Sequence, residues 1–268
     1  MRNLYVTDLK RILKDKLFLV TCILTGVFAV INPLLNKLLF SALDMEEIIG
    51  NLVTSKSMFF SAFLPGDNLG LIMPILIAII ICKDFSHGTV RNKIISGKSR
   101  NSIFISHALS AATVMCSLML IHGLITLGVS LMFFPYSSEQ FTAADFGYLM
   151  ASLGFYMIVY FAISTLVTFI ATISKNMGIC ILLYLAASFG ASIVGAIFQV
   201  AGMFVTPDST EFKVIEFFNA LNVYTSTLIG AGTTYTGKDV LYILMSPVLT
   251  VIGSTLLGLK MFSRKNLK

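Results

Sequence analysis

Six stretches of this chain are apolar and of a length to cross a bilayer or nearly so, and none of its 13 acidic residues lies inside the long runs. A hydrocarbon core about 30 Å thick asks for about 20 apolar residues per helix. Backbone in lipid must satisfy its own hydrogen bonds, which leaves helices or a closed barrel. Runs of this length predict an all-α integral membrane protein. Only 12% of the residues are charged, against about a quarter in soluble domains, so a soluble core is excluded.

The first crossing is predicted over Leu17 to Leu35, with Pro33 and Asn36 ending it. The second, Leu69 to Cys82 and on to about residue 85, is short and carries Pro74. By length alone it also fits a re-entrant segment. The stretch 103–134 is too long for one crossing and too short for two, so its helix starts in the cytosol or interface and then crosses. Segments 147–173 and 177–205 flank Ser174-Lys175-Asn176 and form a tight hairpin. The last crossing is 240–262. Six transmembrane helices then form one domain over 1–268, without internal repeat or linker. The polar start, Met1 to Lys16, has no small-residue cleavage site after the first apolar run, which is read as a retained span.

Charge orients these spans. With both termini in the cytoplasm, 15 of the 19 basic residues fall inside, and only Lys37, Lys56, Lys213 and Lys238 fall outside. Among acidic residues only Asp8, Asp15 and Asp84 fall inside. The basic balance is therefore a topology signal, not a nucleic-acid one. It also favours a true second crossing, since otherwise the basic stretch Lys83 to Arg100 would lie outside. Ion-coupled carriers and intramembrane enzymes keep a carboxylate within the bilayer; a chain lacking one takes its energy from elsewhere.

Few side chains offer site chemistry. Cys22, Cys82, Cys116 and Cys180 sit in or beside apolar segments without a Cys-x-x-Cys pair, as small buried hydrophobes do. His87, His107 and His122 lack the i, i+4 partner of a helical metal site. His107 and His122 are expected to face other helices or water, with a metal role as the alternative. Ala191 with Gly195, and Ser254 with Gly258, are small pairs that let helices approach closely, within the chain or between subunits.

Two basic segments carry more. Leu4 to Lys16 is predicted to be a short amphipathic helix, with Leu9, Ile12 and Leu13 on one face and Lys10, Arg11 and Lys14 on others. Such a helix lies in the headgroup layer against membrane lipid; it serves equally as an orientation signal or a docking surface. In Lys83 to Arg100, Thr89 is the expected N-cap and Gly97 the stop of a two-turn helix. Val90 and Ile94 share a face beside Ile95, forming a patch that docks into a partner or rests on lipid. Gly97-Lys98-Ser99 imitates the tail of a phosphate loop, but Asn92 stands where that motif needs its first glycine. No nucleotide site is expected, and any ATPase belongs to another subunit. Outside, Phe212, Ile215, Phe218 and Leu221 recur at helical spacing within 206–239, as an interfacial helix or a partly re-entrant pair, broken by Gly230-Ala231-Gly232.

The basic N-terminal helix, the six spans and the sequence Asp84-Phe85-Ser86-His87-Gly88-Thr89-Val90-Arg91 resemble type-2 permeases of bacterial ATP-binding-cassette exporters, of the small peptide-export or antibiotic-immunity kind. Those permeases often carry an acidic residue, three variable residues, Gly-Thr, a variable residue and a basic one after the second span. Asp84, Gly88, Thr89 and Arg91 match in place, and the ending Gly258 to Lys268 is similar too. Ser86 and His87 depart from the further acidic residues often found there.

The resemblance implies a bacterial plasma-membrane protein that pairs with a second permease copy, as a homodimer. It implies a cytosolic ATPase subunit that holds ATP and magnesium, with no cofactor or catalytic residue in this chain. Asp84, Gly88, Thr89, Val90, Arg91 and Ile94 would couple that ATPase to the spans. An apolar or amphipathic cargo, peptide first, suits spans without fixed charge. The rival readings are a membrane-embedded lipid-modifying enzyme, for which Asp84 and His87 come nearest to a catalytic cluster, and a non-transporting immunity or scaffold protein.

Overall fold

The computed structural model describes residues 2–42, 53–65, 68–136, 142–174, 176–206, 209–228 and 235–265, with backbone alone at 68–69. The described residues form ten α-helices and one 3-10 turn, with no strand among them. In chain order the helices are α1 (Arg2–Lys14), α2 (Lys16–Ala42), α3 (Ser55–Ser61), α4 (Asn68–Ser86), α5 (Thr89–Ile95), α6 (Arg100–Ser130), α7 (Ala143–Ile173), α8 (Met177–Met203), α9 (Thr210–Ala220) and α10 (Gly237–Arg264). Five of them, α2, α6, α7, α8 and α10, are long and apolar enough to cross a membrane. The count reaches six if α4 and α5, which bend from each other by 58°, are taken as one span. Large aliphatic side chains such as Leu38, Leu182 and Ile197, the last 61% exposed, lie on the bundle's surface. In water such a coat would aggregate; facing lipid it costs nothing. The chain is an all-α, multi-pass membrane protein.

Several helix ends differ from the hydropathy reading, each for a local reason. Helix α2 runs through Pro33 and Asn36 to Ala42 instead of ending there. Proline removes one backbone bond, but Pro33 is buried against its neighbours. Asn36 Nδ2 donates back to the Asn32 carbonyl at 3.0 Å and to Asn32 Oδ1 at 2.9 Å, so its amide is satisfied along the helix. Helices α7 and α10 start earlier than predicted because Thr142 with Asp145, and Thr236 with Asp239, form capping boxes. The hairpin between α7 and α8 is tight as expected: Ser174 ends one helix and Asn176 caps the next, accepting from Ile179 N at 2.9 Å. Lys175 between them lies outside the described residues, as do Gly230-Ala231-Gly232 and Asn266 to Lys268.

The core sits around α4 and α7. Short α4 packs on α7, α8, α2 and α6, and α7 also packs on α6 and α10. Phe63, Met73, Ile77, Met115, Met119, Tyr160 and Tyr184 are fully buried there. Without a hydrophobic drive in lipid, polar contacts help hold helices together. Ser254 Oγ meets Thr165 Oγ1 at 2.9 Å, and Ser164 Oγ reaches the Ala108 carbonyl at 3.3 Å.

The two small-residue pairs have different uses. A side chain at Gly258 would strike the Phe104 ring, so that pair seats α10 on α6. A side chain at Gly195 would strike Thr225, and Asn222 Nδ2 donates to the Ala191 carbonyl at 2.6 Å. That pair therefore receives a loop, not a helix. Within 206–239 the described residues form two parts. Helix α9 rides on α8 and α10 with Phe217 and Phe218 exposed, and then 223–227 tucks into the bundle, buried throughout.

Candidate functional site

The basic residues of five segments gather at one end of the bundle. Helix α1 lies there across α6 and α2. Leu4, Asp8 and Ile12, spaced by four, are its buried stripe. Asp15 links α1 to α2: its carboxylate accepts from Leu17 N at 2.9 Å and pairs with Lys83 at 3.3 Å. Burial alone would raise that carboxyl, but the Leu17 N–H and Lys83 outweigh it and hold it below its usual range.

The last turn of α4 delivers Asp84, and the chain then turns sharply. Gly88 makes the turn with φ 70°, in the left-handed region that glycine enters without strain. Helix α5 follows and closes with Gly97 at φ 83°. There Gly97 N bonds to Ile94 O and Lys98 N to Lys93 O, the paired bonds of a Schellman stop. The predicted helix and its glycine stop are both present. The predicted cap is not: Gly88 occupies the N-cap, no side chain caps the helix, and Thr89 is its first residue. Ser99 then caps α6, accepting from Ser102 N at 3.2 Å.

Between these elements lies a buried ionic network. Lys93 Nζ stands 2.5 Å from Asp8 Oδ1, 3.1 Å from His107 Nε2 and 3.8 Å from Asp84 Oδ2. Ser106 Oγ donates to Asp8 Oδ2 at 2.6 Å. Arg11 pairs with Asp84 and reaches Asp8 at 3.9 Å, while His107 Nε2 is 3.2 Å from Asp84 Oδ2. Asp8 is 1% exposed, and Asp84 and His107 are also buried. Two carboxylates face two cations, so the cluster closes without net charge. Burial works against the charged form of Asp8, but His107, Lys93 and Ser106 more than offset it, leaving its carboxyl below the usual range. Burial pulls the Lys93 ammonium and the Arg11 guanidinium down in turn, opposed by the nearby carboxylates.

Asp8, Asp84 and His107 offer ligand atoms within 4.8 Å of one another, close enough in principle for a metal. The Lys93 ammonium already stands among them, so a metal would have to displace a paired cation. The arrangement is better suited to clamping α1, α4, α5 and α6 together than to chemistry.

The apolar residues of α5 are also turned inward. Val90 is buried with Leu4, Ile103, Phe104 and Phe262, and Ile94 packs on the same group. They do not form the free docking face expected of them. The outer face instead carries Arg91, Asn92 and Lys98 around Ile95, which is 74% exposed. On α1, Leu9 and Ile12 pack on the core and Arg11 turns into the network, so of the predicted lipid-facing set only Leu13 stays exposed. His87 is exposed, and the histidine that Asp84 meets is His107.

Asp8 and Lys93 escaped the sequence reading as site residues, while His107, expected to face another helix or water, meets Asp84 of α4. A signal existed for Asp8, which sits four residues from both Leu4 and Ile12 on the apolar stripe. The tail is fixed as well. Arg100 Nη1 donates to the carbonyls of Phe262 and Lys265, both at 2.7 Å. Lys265 Nζ lies 4.4 Å from the Phe85 ring centre and donates to the carbonyls of Thr172 and Ser174.

The model of the family described as "Protein of unknown function (DUF2705)" matches residues 57–267, and the chain belongs to that family. No curated protein matches it.

Proposed function

We propose that this member of the DUF2705 family is the membrane subunit of an ATP-driven exporter. It works with a separate cytosolic ATPase that holds ATP and magnesium, and it carries an apolar or amphipathic cargo, peptide first. The observation that carries the reading is α5: a short basic helix set 58° off a span, clamped to α1 by Lys93 and Asp8, and presenting Ile95 outward among Arg91, Asn92 and Lys98. A push on that face moves α1, α4 and α6 together, because the buried ion pairs do not stretch cheaply. The basic end faces the cytosol of a bacterial plasma membrane, both termini lie there, and two copies pair to form the path.

The inward turn of Val90 and Ile94 moves the docking role to Ile95. The lipid-modifying alternative would need a free carboxylate or histidine, and those that cluster are engaged by Lys93 and Arg11. Copurification of an ATPase with tagged chain, in wild type and two variants, is the test. Ile95→Asp should leave the fold intact and weaken ATPase retention about tenfold or more, since it puts a carboxylate into an apolar contact. Ile94→Asp should instead lower thermal stability, because Ile94 packs within the chain. Full retention and transport by Ile95→Asp would remove α5 from the mechanism.

A further inference from the structure

Helix α1 has three sides. Leu4, Asp8 and Ile12 are buried against the bundle. Asn3, Thr7, Lys10 and Lys14, at helical spacing, form an exposed polar side. Arg2, Val6 and Leu13 form the third, which is also exposed and is apolar but for the cation at its start. A polar side suits water and an apolar one suits lipid. Arg11 is taken by Asp8 and Asp84, whereas Arg2 makes no ion pair among the described residues.

Tyr5, one turn from Arg2, joins this helix to a groove. Its hydroxyl meets Thr113 Oγ1 of α6 at 2.9 Å. Thr113 lines a space of about 460 Å³ between α6 and α7, a volume within the range of ligand sites. Helix α6 contributes the small residues Ala112, Thr113, Cys116 and Ser117, and α7 the large Ile158 and Phe161, so the surface dips between the two helices. Thr113, Ser117 and Ile158 are exposed, and the trough opens on the outside of the bundle. Its polar atoms are satisfied within the chain. Thr113 Oγ1 donates to the Leu109 carbonyl at 2.9 Å, Ser117 Oγ to the Thr113 carbonyl at 2.8 Å, and Cys116 Sγ to the Met157 carbonyl at 3.7 Å. The trough asks no hydrogen bond of its occupant.

A bilayer offers such a trough an acyl chain or a helix of a second copy. Charge decides between them. Arg2, at the basic end beside the groove, calls for an anion at headgroup level. A second copy has none to give: no acidic residue lies inside the long apolar runs, and Asp8, Asp15 and Asp84 are paired within the chain. We propose that the groove binds one anionic phospholipid, with an acyl chain along the trough and the headgroup phosphate on Arg2 beside the Tyr5 hydroxyl. The lipid holds one side of α1 while the ion pairs hold another. This site stands independently of the export reading, since it needs neither ATPase nor cargo.

The chain has no tryptophan, so one introduced indole reports the lipid beside it. Leu120→Trp places it at the deep end of the groove. Leu182→Trp, at a 67% exposed position of α8, is the open-surface control. Each full chain goes into vesicles of mixed phosphatidylglycerol and phosphatidylcholine, with one or the other brominated on its chains as quencher. The groove should prefer phosphatidylglycerol about fivefold or more, the effect of one basic residue at an anionic surface, and the control less than about twofold. Arg2→Gln should bring the groove to the control level with the melting temperature unchanged, and Arg2→Lys should keep most of the preference. Ser117→Phe, which fills the trough, should abolish it. Equal quenching by the two lipids at the groove, or an undiminished preference in Arg2→Gln, would overturn the proposal. A groove tryptophan that neither brominated lipid quenches would also overturn it and give the trough to a second copy.

Discussion

Asp8 and Lys93 show how much a single buried pair decides. Removing one partner leaves an uncompensated charge, while removing both leaves only a packing change. Asp8→Asn should therefore cost about 3 kcal/mol or more, and Asp8→Asn with Lys93→Met should recover most of it. A double-mutant cycle on melting temperature in detergent measures the coupling; additive losses would mean that the pair is not coupled. The same residue sets a pH dependence. Asp8 is held below its ordinary range by Lys93, His107 and Ser106, with Arg11 and Asp84 beside it. Its contribution is thus present at neutral pH and lost as pH falls through the depressed folded value. Wild type should lose melting temperature below about pH 4, where carboxylates titrate, and the double variant should lose less over the same window.

At the scale of the element, α5 holds its shape through glycine at both ends. Neither Gly88 nor Gly97 has a neighbour that an added side-chain carbon would strike, so their requirement is conformational and not steric. A residue with a side chain at positive φ costs about 1 kcal/mol or more. Gly88→Ala should lower stability by about that amount and weaken ATPase retention. Thr89→Ala should change stability by less than about 0.5 kcal/mol, because the hydroxyl caps nothing. Thermal melting of the two variants side by side reads the difference. A larger loss for Thr89→Ala would restore the threonine cap that the sequence suggested.

For the whole molecule, the proposal places Lys98 and Lys213 on opposite sides of the membrane. Both are exposed and neither caps a helix. Cysteines placed there, in a chain cleared of its four native ones, should react with an impermeant reagent from opposite faces of sealed vesicles. Reaction of both from the same face would undo the six-span topology. The tertiary arrangement gives the two ends different characters. Ion pairs clamp α1, α4, α5 and α6 at the basic end, where Arg100 also bonds to the α10 carbonyls, and aromatic rings line a cavity at the other.

The class of fold was legible in the sequence because hydropathy is local: a run of about 20 apolar residues must become a membrane helix wherever its neighbours fall. The tight turn at Ser174 to Asn176 and the stop at Gly97 were legible for the same reason, since short-range geometry sets them. The end of α2 was not, because whether Pro33 and Asn36 end a helix depends on their surroundings: Pro33 is buried against the bundle, and the Asn36 amide bonds back to Asn32. The facing of α1 and α5 was beyond local reasoning. Val90 and Ile94 read as a free patch until Leu4, Phe104 and Phe262, distant in the chain, cover them. Asp8, Asp84, Lys93 and His107 come from four helices. A charge is buried or solvated according to what stands beside it, and that is decided only when the helices pack.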